Sequence, residues 1–158
     1  MYRTNSKLPP HNLDAEETIL ASVFSSPPSF EKIQDILKPA DFYKTSNRII
    51  YESFLAIIAD GLKIDIIAVC VELKKTNSLK KAGGHTGLEK IMNEAPIYLN
   101  LESHAKIIKE CSLKRKILTL GQNLSEGSLN GKPIEELLKF GQIELEKIQP
   151  HRQKIAII

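Results

Sequence analysis

The sequence predicts an all-α protein: a compact multi-helix globule followed by a long antiparallel helical hairpin. Three observations carry that prediction. Apolar residues recur at the three- and four-residue spacing of amphipathic helices almost throughout, and no stretch alternates as a half-buried strand does. The chain of 158 residues is 42% apolar but only 6% aromatic, without tryptophan, so Ile and Leu are expected to build most of the core. Past Pro96 the pattern changes to two long amphipathic segments joined by a short Gly-containing turn, as in an αα-hairpin.

The first helix is expected over 13–25, with Leu13, Ile19, Leu20, Val23 and Phe24 on one face. Pro9 and Pro10 keep the residue before each extended, His11 completes the turn, and Asn12 is placed to cap the helix. Asp14, Glu16 and Glu17 fall in its first turn, where negative charge complements the helix dipole. Phe30, Ile33, Ile36 and Leu37 mark a short second helix, stopped by Pro39. Ser46 or Asn47 is expected to cap a third, whose Ile50, Phe54, Ile57 and Ile58 share a face until Gly61 ends it. Asp65 is a natural cap for a fourth, with Ile66, Val69, Cys70 and Leu73 at helical spacing. LKKAGGHTG then breaks the pattern, and Leu88, Ile91 and Met92 mark a short fifth helix ended by Pro96.

A sixth helix is expected from about 101 to 126, with Leu101, Ala105 and Ile108 on one stripe and Leu113, Ile117, Leu120 and Leu124 on another. GSLNGKP makes the turn. Pro133 sits near the first turn of the last helix, in which Ile134, Leu137, Leu138, Leu145 and Ile148 recur. The chain thus divides into a flexible leader (1–7), a helical globular subdomain (8–97), a hairpin for dimerisation or partner binding (98–149), and a tail or start of a linker (150–158).

A formal net charge of +3 is too mild for a dedicated nucleic-acid binder. No segment approaches the apolar length of a membrane span, so a soluble, cytoplasmic protein without membrane contact is expected. Cys70 and Cys111 are expected as free buried thiols. Gly83-Gly84-His85-Thr86-Gly87 lacks the lysine and the preceding strand of a P-loop and reads as a turn between helices. His11, His85, His104 and His151 lie too far apart in sequence for a metal set, and no serine or cysteine has an identifiable base. Asp41, beside Phe42 and Tyr43, reads as a charged residue with two aromatic anchors that pin a loop to the core. Catalytic, cofactor-binding and metal-ligating residues are therefore expected to be absent.

What remains is surface. A hairpin cannot bury apolar stripes on both sides by itself, so it must pack on the globule or on another hairpin. That singles out Ile108, Leu113, Ile117, Leu120, Leu124, Leu137, Leu138, Gly141 and Leu145 as interface candidates. Gly141, inside a helix at a cost of about 1 kcal/mol against alanine, suits the close approach of a neighbouring helix. Lys109, Lys114, Arg115 and Lys116 form a basic run that is either solvated or a contact patch for phosphate or protein.

The order of the pieces resembles a known family. LPPHNLDAEETILASVF, with Pro9, Pro10, His11 and Glu16, resembles the opening of the DnaB-type replicative DNA helicases. ADFYKTSNRIIYESF (Asp41, Phe42, Tyr43), GLKIDIIAVCVELKK (Asp65), LKKAGGHTGLEKIMNEAP (Gly83, Gly84) and NLESHAKIIKECSLKRKIL follow in the family's order, so the resemblance covers about residues 7–150. Arg48 stands where relatives often carry histidine, and Ala95-Pro96 replaces the family's Thr-Pro. The family's RecA-like ATPase domain, with its ATP and Mg2+, has no counterpart here.

The resemblance implies a non-catalytic N-terminal collar domain of the primosome. Its partners would be itself, as a dimer or a trimer of dimers, a primase and a helicase loader, with weak or no direct DNA binding. The parent protein would unwind duplex DNA with ATP. Alternatives are the helicase-binding domain of a primase, a stand-alone phage or mobile-element mimic of the collar, and a small helical DNA-binding regulator. The last lacks a helix equipped to read base edges.

Overall fold

A computed structural model describes residues 8–94 and 100–149, and every regular element among them is helical. The helices are α1 (Leu13–Ser25), α2 (Phe30–Ile33), α3 (Thr45–Ala59), α4 (Ile66–Lys75), α5 (Gly84–Asn93), α6 (Leu101–Leu129) and α7 (Ile134–Ile148). Short 3-10 turns at Pro27–Ser29 and Pro39–Asp41 connect them. The chain forms two compact units, 11–112 and 1–10 with 113–158, and α6 contributes residues to both.

Helix boundaries follow local chemistry. Asn12 Oδ1 accepts from the Ala15 N–H at 2.9 Å, and an Asp65 carboxylate oxygen accepts from the Ala68 N–H at 2.7 Å, both as expected of N-caps. Gly61, at φ +73°, ends α3: its N–H reaches the Ile58 carbonyl while that of Leu62 reaches Ile57. Asn77, at φ +57°, ends α4 in the same way.

Several expected boundaries are corrected. The second helix is only four residues long, because Pro39 holds Lys38 extended and the chain from Gln34 turns out of the helix to meet it. Neither Ser46 nor Asn47 caps α3. The helix begins at Thr45, its cap position is Lys44, and no side chain of its own closes the end. Gly127, Ser128 and Leu129 belong to α6 rather than to the turn, which is confined to the residues before α7. The glycines after Gly83 are the first turn of α5 itself. The expectations for the leader 1–7, for Pro96 as the end of the fifth helix, for His151 and for the tail 150–158 lie outside the described residues.

The core of the 11–112 unit combines Ile19, Leu20 and Val23 of α1 with Ile50, Ile57, Ile64, Val69, Leu73 and Leu88, and takes Ala105 and Ile108 from the start of α6. Its centre is aromatic, despite the low aromatic content. Phe42 lies 4.7 Å from the Tyr51 ring, Phe30 lies 5.5 Å from it, and Phe24 meets Phe54 edge-on at 5.2 Å. Ile and Leu fill the space around these rings. Among the described residues no helix is long and apolar enough to cross a membrane.

Candidate interaction surface

The hairpin seam is built from one stripe of each helix. Leu120 and Ile148 are buried, Leu124 and Leu137 half-buried, and Gly141 sits under Leu124. A Cβ at Gly141 would meet the two Leu124 methyls at 3.6 Å, an ordinary contact. The tight crossing is at Gly127, in the stretch whose composition reads as a turn: a Cβ there would lie 2.6 Å from Leu137 Cδ2. Gly131, at φ +75°, allows the Lys132 N–H to close α6 on the Gly127 carbonyl, so the turn and the crossing share one residue.

Apolar side chains continue beyond the seam. On α7, Ile134, Leu138 (58% exposed) and Leu145 recur at helical spacing beside the seam row of half-buried Leu137 and buried Gly141 and Ile148. On α6, Ile117 is exposed and Leu113 half-buried. Of the nine interface candidates, Ile117, Leu138 and Leu145 face solvent. Leu113, Leu120, Leu124, Leu137 and Gly141 are partly or fully covered, and Ile108 is part of the core of the other unit.

Two residues of the basic run, Lys109 and Arg115, are committed to internal contacts. Lys109 Nζ lies 3.1 and 3.3 Å from the two carboxylate oxygens of Asp41, and Arg115 donates to the Pro10 carbonyl at 2.8 Å. Lys116 is exposed, as is Lys114. Arg115 thus explains why a fixed chain path at Pro9-Pro10 matters: the carbonyl it grips must be held out for it. That contact, over more than a hundred residues of sequence, has no local signal.

Asp41, Phe42 and Tyr43 do pin a loop, but through polar bonds as much as rings. Asp41, 2% exposed, accepts from the Lys38 N–H at 2.7 Å and the Ser112 hydroxyl at 2.7 Å in addition to Lys109. Phe42 is buried and its carbonyl accepts from Arg48 at 3.0 Å, while Tyr43 stacks on His11 with centroids 4.4 Å apart. Burial, and secondarily the Asp41 carboxylate, push the Tyr51 hydroxyl above its ordinary pKa. That hydroxyl donates to the Leu37 carbonyl at 3.0 Å.

Glu16 is not a solvated first-turn acid. Its buried carboxylate crosses to the start of α3, where it accepts from the Tyr43 and Lys44 N–H groups and from the Asn47 amide at 2.9, 3.3 and 3.2 Å. It is the anionic cap that α3 lacks of its own. Gly83 and Gly84 serve the start of α5. Cys70 and Cys111 are free and half-buried, and Cys70 Sγ lies 3.5 Å from His85 Nδ1. Among the described residues no three His, Cys, Asp or Glu side chains gather as a metal site requires.

Comparison with known proteins agrees with this arrangement of helices. The family model described as "DnaB-like helicase N terminal domain" matches residues 8–110. The replicative DNA helicase DnaC of Bacillus subtilis (strain 168) is 33% identical over 153 residues, 96% of this chain. The replicative DNA helicase DnaB of Geobacillus stearothermophilus is 27% identical over 122 residues, 77% of it. The chain spans only 34% and 27% of the lengths of these two relatives. The crystal structure of the N-terminal domain of DnaB helicase from Mycobacterium tuberculosis superposes with a TM-score of 0.83 at 25% identity, covering 90% of this chain and all of that one. The N-terminal domain of DnaB helicase from Helicobacter pylori, described with its interactions with primase, gives 0.65 at 25% identity, covering 73% of this chain and 89% of that one.

Proposed function

We propose that this chain, which belongs to the DnaB-like helicase N-terminal domain family, is the non-catalytic collar of a replicative helicase, through which copies assemble and a primase docks. One observation carries the reading: apolar side chains of both hairpin helices, Ile117 on α6 and Ile134, Leu138 and Leu145 on α7, remain exposed beside a seam that is already closed. Rows of this kind lower free energy when a second helical pair covers them. The covering pair is a second copy, giving a dimer and, through further contacts, a trimer of dimers.

The primase proposal is supported by likeness to the Helicobacter pylori domain, which is described with its interactions with primase. A helicase loader is a further candidate for the same collar. Direct DNA binding is weak or absent in this reading, because Lys109 and Arg115 spend their charge on Asp41 and on a backbone carbonyl. ATP-driven unwinding of duplex DNA is proposed for the whole helicase, whose P-loop chemistry the 158 residues do not contain.

Light scattering over a wide concentration range, with and without the C-terminal domain of a cognate primase, tests the proposal. The expected result is a dimer or larger species that shifts to higher mass with the primase domain. Leu138→Asp with Leu145→Asp should reduce it to a monomer of unchanged helix content. A monomer at every concentration would overturn the assembly reading, and an unchanged mass with the primase domain would overturn the docking one.

A further inference from the structure

The 11–112 unit carries an apolar surface of its own. Two adjoining cavities, of about 470 and about 430 Å3, meet at Leu62 and Lys63 in the turn between α3 and α4. Ile58 and Leu62 border the first, and Ile67 and Val71, one helical turn apart on α4, border the second. Ile67 is 73% exposed, Val71 60% and Leu62 58%, while Phe30 and Ile64 beneath are fully packed. The core is thus complete without these aliphatics. A contiguous group of large apolar side chains beside two open cavities is what a partner site looks like, where scattered single residues would be unremarkable.

The rim identifies the partner. Glu72 and Lys75 at the second cavity pair with each other at 3.7 Å, which leaves Glu31 at the first cavity and Asp60 and Asp65 at the second against Lys63. This is an acidic island on a chain of net charge +3. It repels nucleic acid and anionic lipid headgroups, and pairing with the same face of a second copy would set carboxylates against carboxylates. A helix that offers bulky apolar residues a turn apart, with Lys or Arg beside them, satisfies both the cavities and the rim.

We propose that the face of Ile58, Leu62, Ile67 and Val71 is a docking groove for a basic amphipathic helix of a partner protein. The groove lies wholly in the 11–112 unit and does not rest on the hairpin assembly proposed above.

The probe is a fluorescein-labelled synthetic helix of repeating Leu-Lys-Lys-Leu sequence, followed by anisotropy against the whole chain, with a counterpart in which glutamate replaces every lysine. The lysine peptide should bind, and the glutamate peptide should bind at least about tenfold more weakly. Val71→Lys and Ile67→Ser, both at exposed positions, should each weaken the lysine peptide by about tenfold with helix content unchanged, and Leu138→Ser should leave its affinity intact. Equal binding to Val71→Lys, Ile67→Ser and the unaltered chain would overturn the proposal, as would equal binding of the two peptides. A lower solution mass for Val71→Lys would also overturn it, by assigning the face to a contact between copies.

Discussion

Removing the Asp41 carboxylate takes an acceptor from the Lys38 N–H, the Ser112 hydroxyl and the Lys109 ammonium at once. The carboxylate and the Ser112 hydroxyl are both buried, so the loss exceeds that of a single surface bond. Asp41→Ala should lower the unfolding free energy by roughly 3 kcal/mol, and Ser112→Ala by only about 1 kcal/mol, in urea titrations. Equal small effects would mean that the cluster is solvated. Tyr51 makes a prediction about pH. Its hydroxyl pKa is raised in the fold, so the native state keeps the proton where the unfolded chain, near pH about 10, begins to lose it. Its contribution is therefore fully present below that pH and is lost as pH rises above it. Tyr51→Phe should cost about 1 kcal/mol at neutral pH, for the bond to the Leu37 carbonyl, and should flatten the alkaline decline. An equally steep decline in the variant would show that other groups cause it.

At the scale of elements, the two hairpin glycines separate. A methyl at Gly141 fits against Leu124, so Gly141→Ala should raise stability by about 0.5–1 kcal/mol through helix propensity alone. At Gly127 the same methyl collides with Leu137, and Gly127→Ala should forfeit that gain or lose stability, as denaturant melts of the two variants would show. The sequence marks Gly141 because it interrupts a clear helical run, and it hides Gly127 because Ser128, Asn130, Gly131 and Pro133 make the whole stretch look like a turn. The same limit applies to helix starts. Asn12 and Asp65 were legible because each caps its own helix from three residues away. The cap of α3 was not, since Glu16 reaches it from another helix. Periodicity places apolar faces well, because burial follows spacing, but it does not say which body a stripe serves: that of Ile108 packs into the globule's core. Long-range polar partners such as Asp41 with Ser112, or Arg115 with Pro10, leave no periodic trace.

For the molecule as a whole, the two units differ in how far each is stabilised by its own burial. The 11–112 unit owns a continuous core from α1 to the start of α6. Within 113–149 the buried apolar side chains are Leu120 and Ile148, with Leu124 and Leu137 half-covered, and Ile117, Ile134, Leu138 and Leu145 in water. Two helices closed by so thin a seam are marginal alone, and what binds the native form of the hairpin stabilises it by mass action. If a second copy is that partner, protection of the hairpin must depend on protein concentration while protection of the globule must not. Hydrogen exchange read by mass spectrometry across roughly a hundredfold range of concentration separates these cases. Peptides from 113–149 should exchange more slowly as concentration rises, and those from 11–94 should keep one rate throughout. With Leu138→Asp and Leu145→Asp the hairpin should exchange at its fast rate at every concentration. A hairpin whose protection is high and independent of concentration would instead be held within its own chain, and its exposed rows would then be free for a partner other than a second copy.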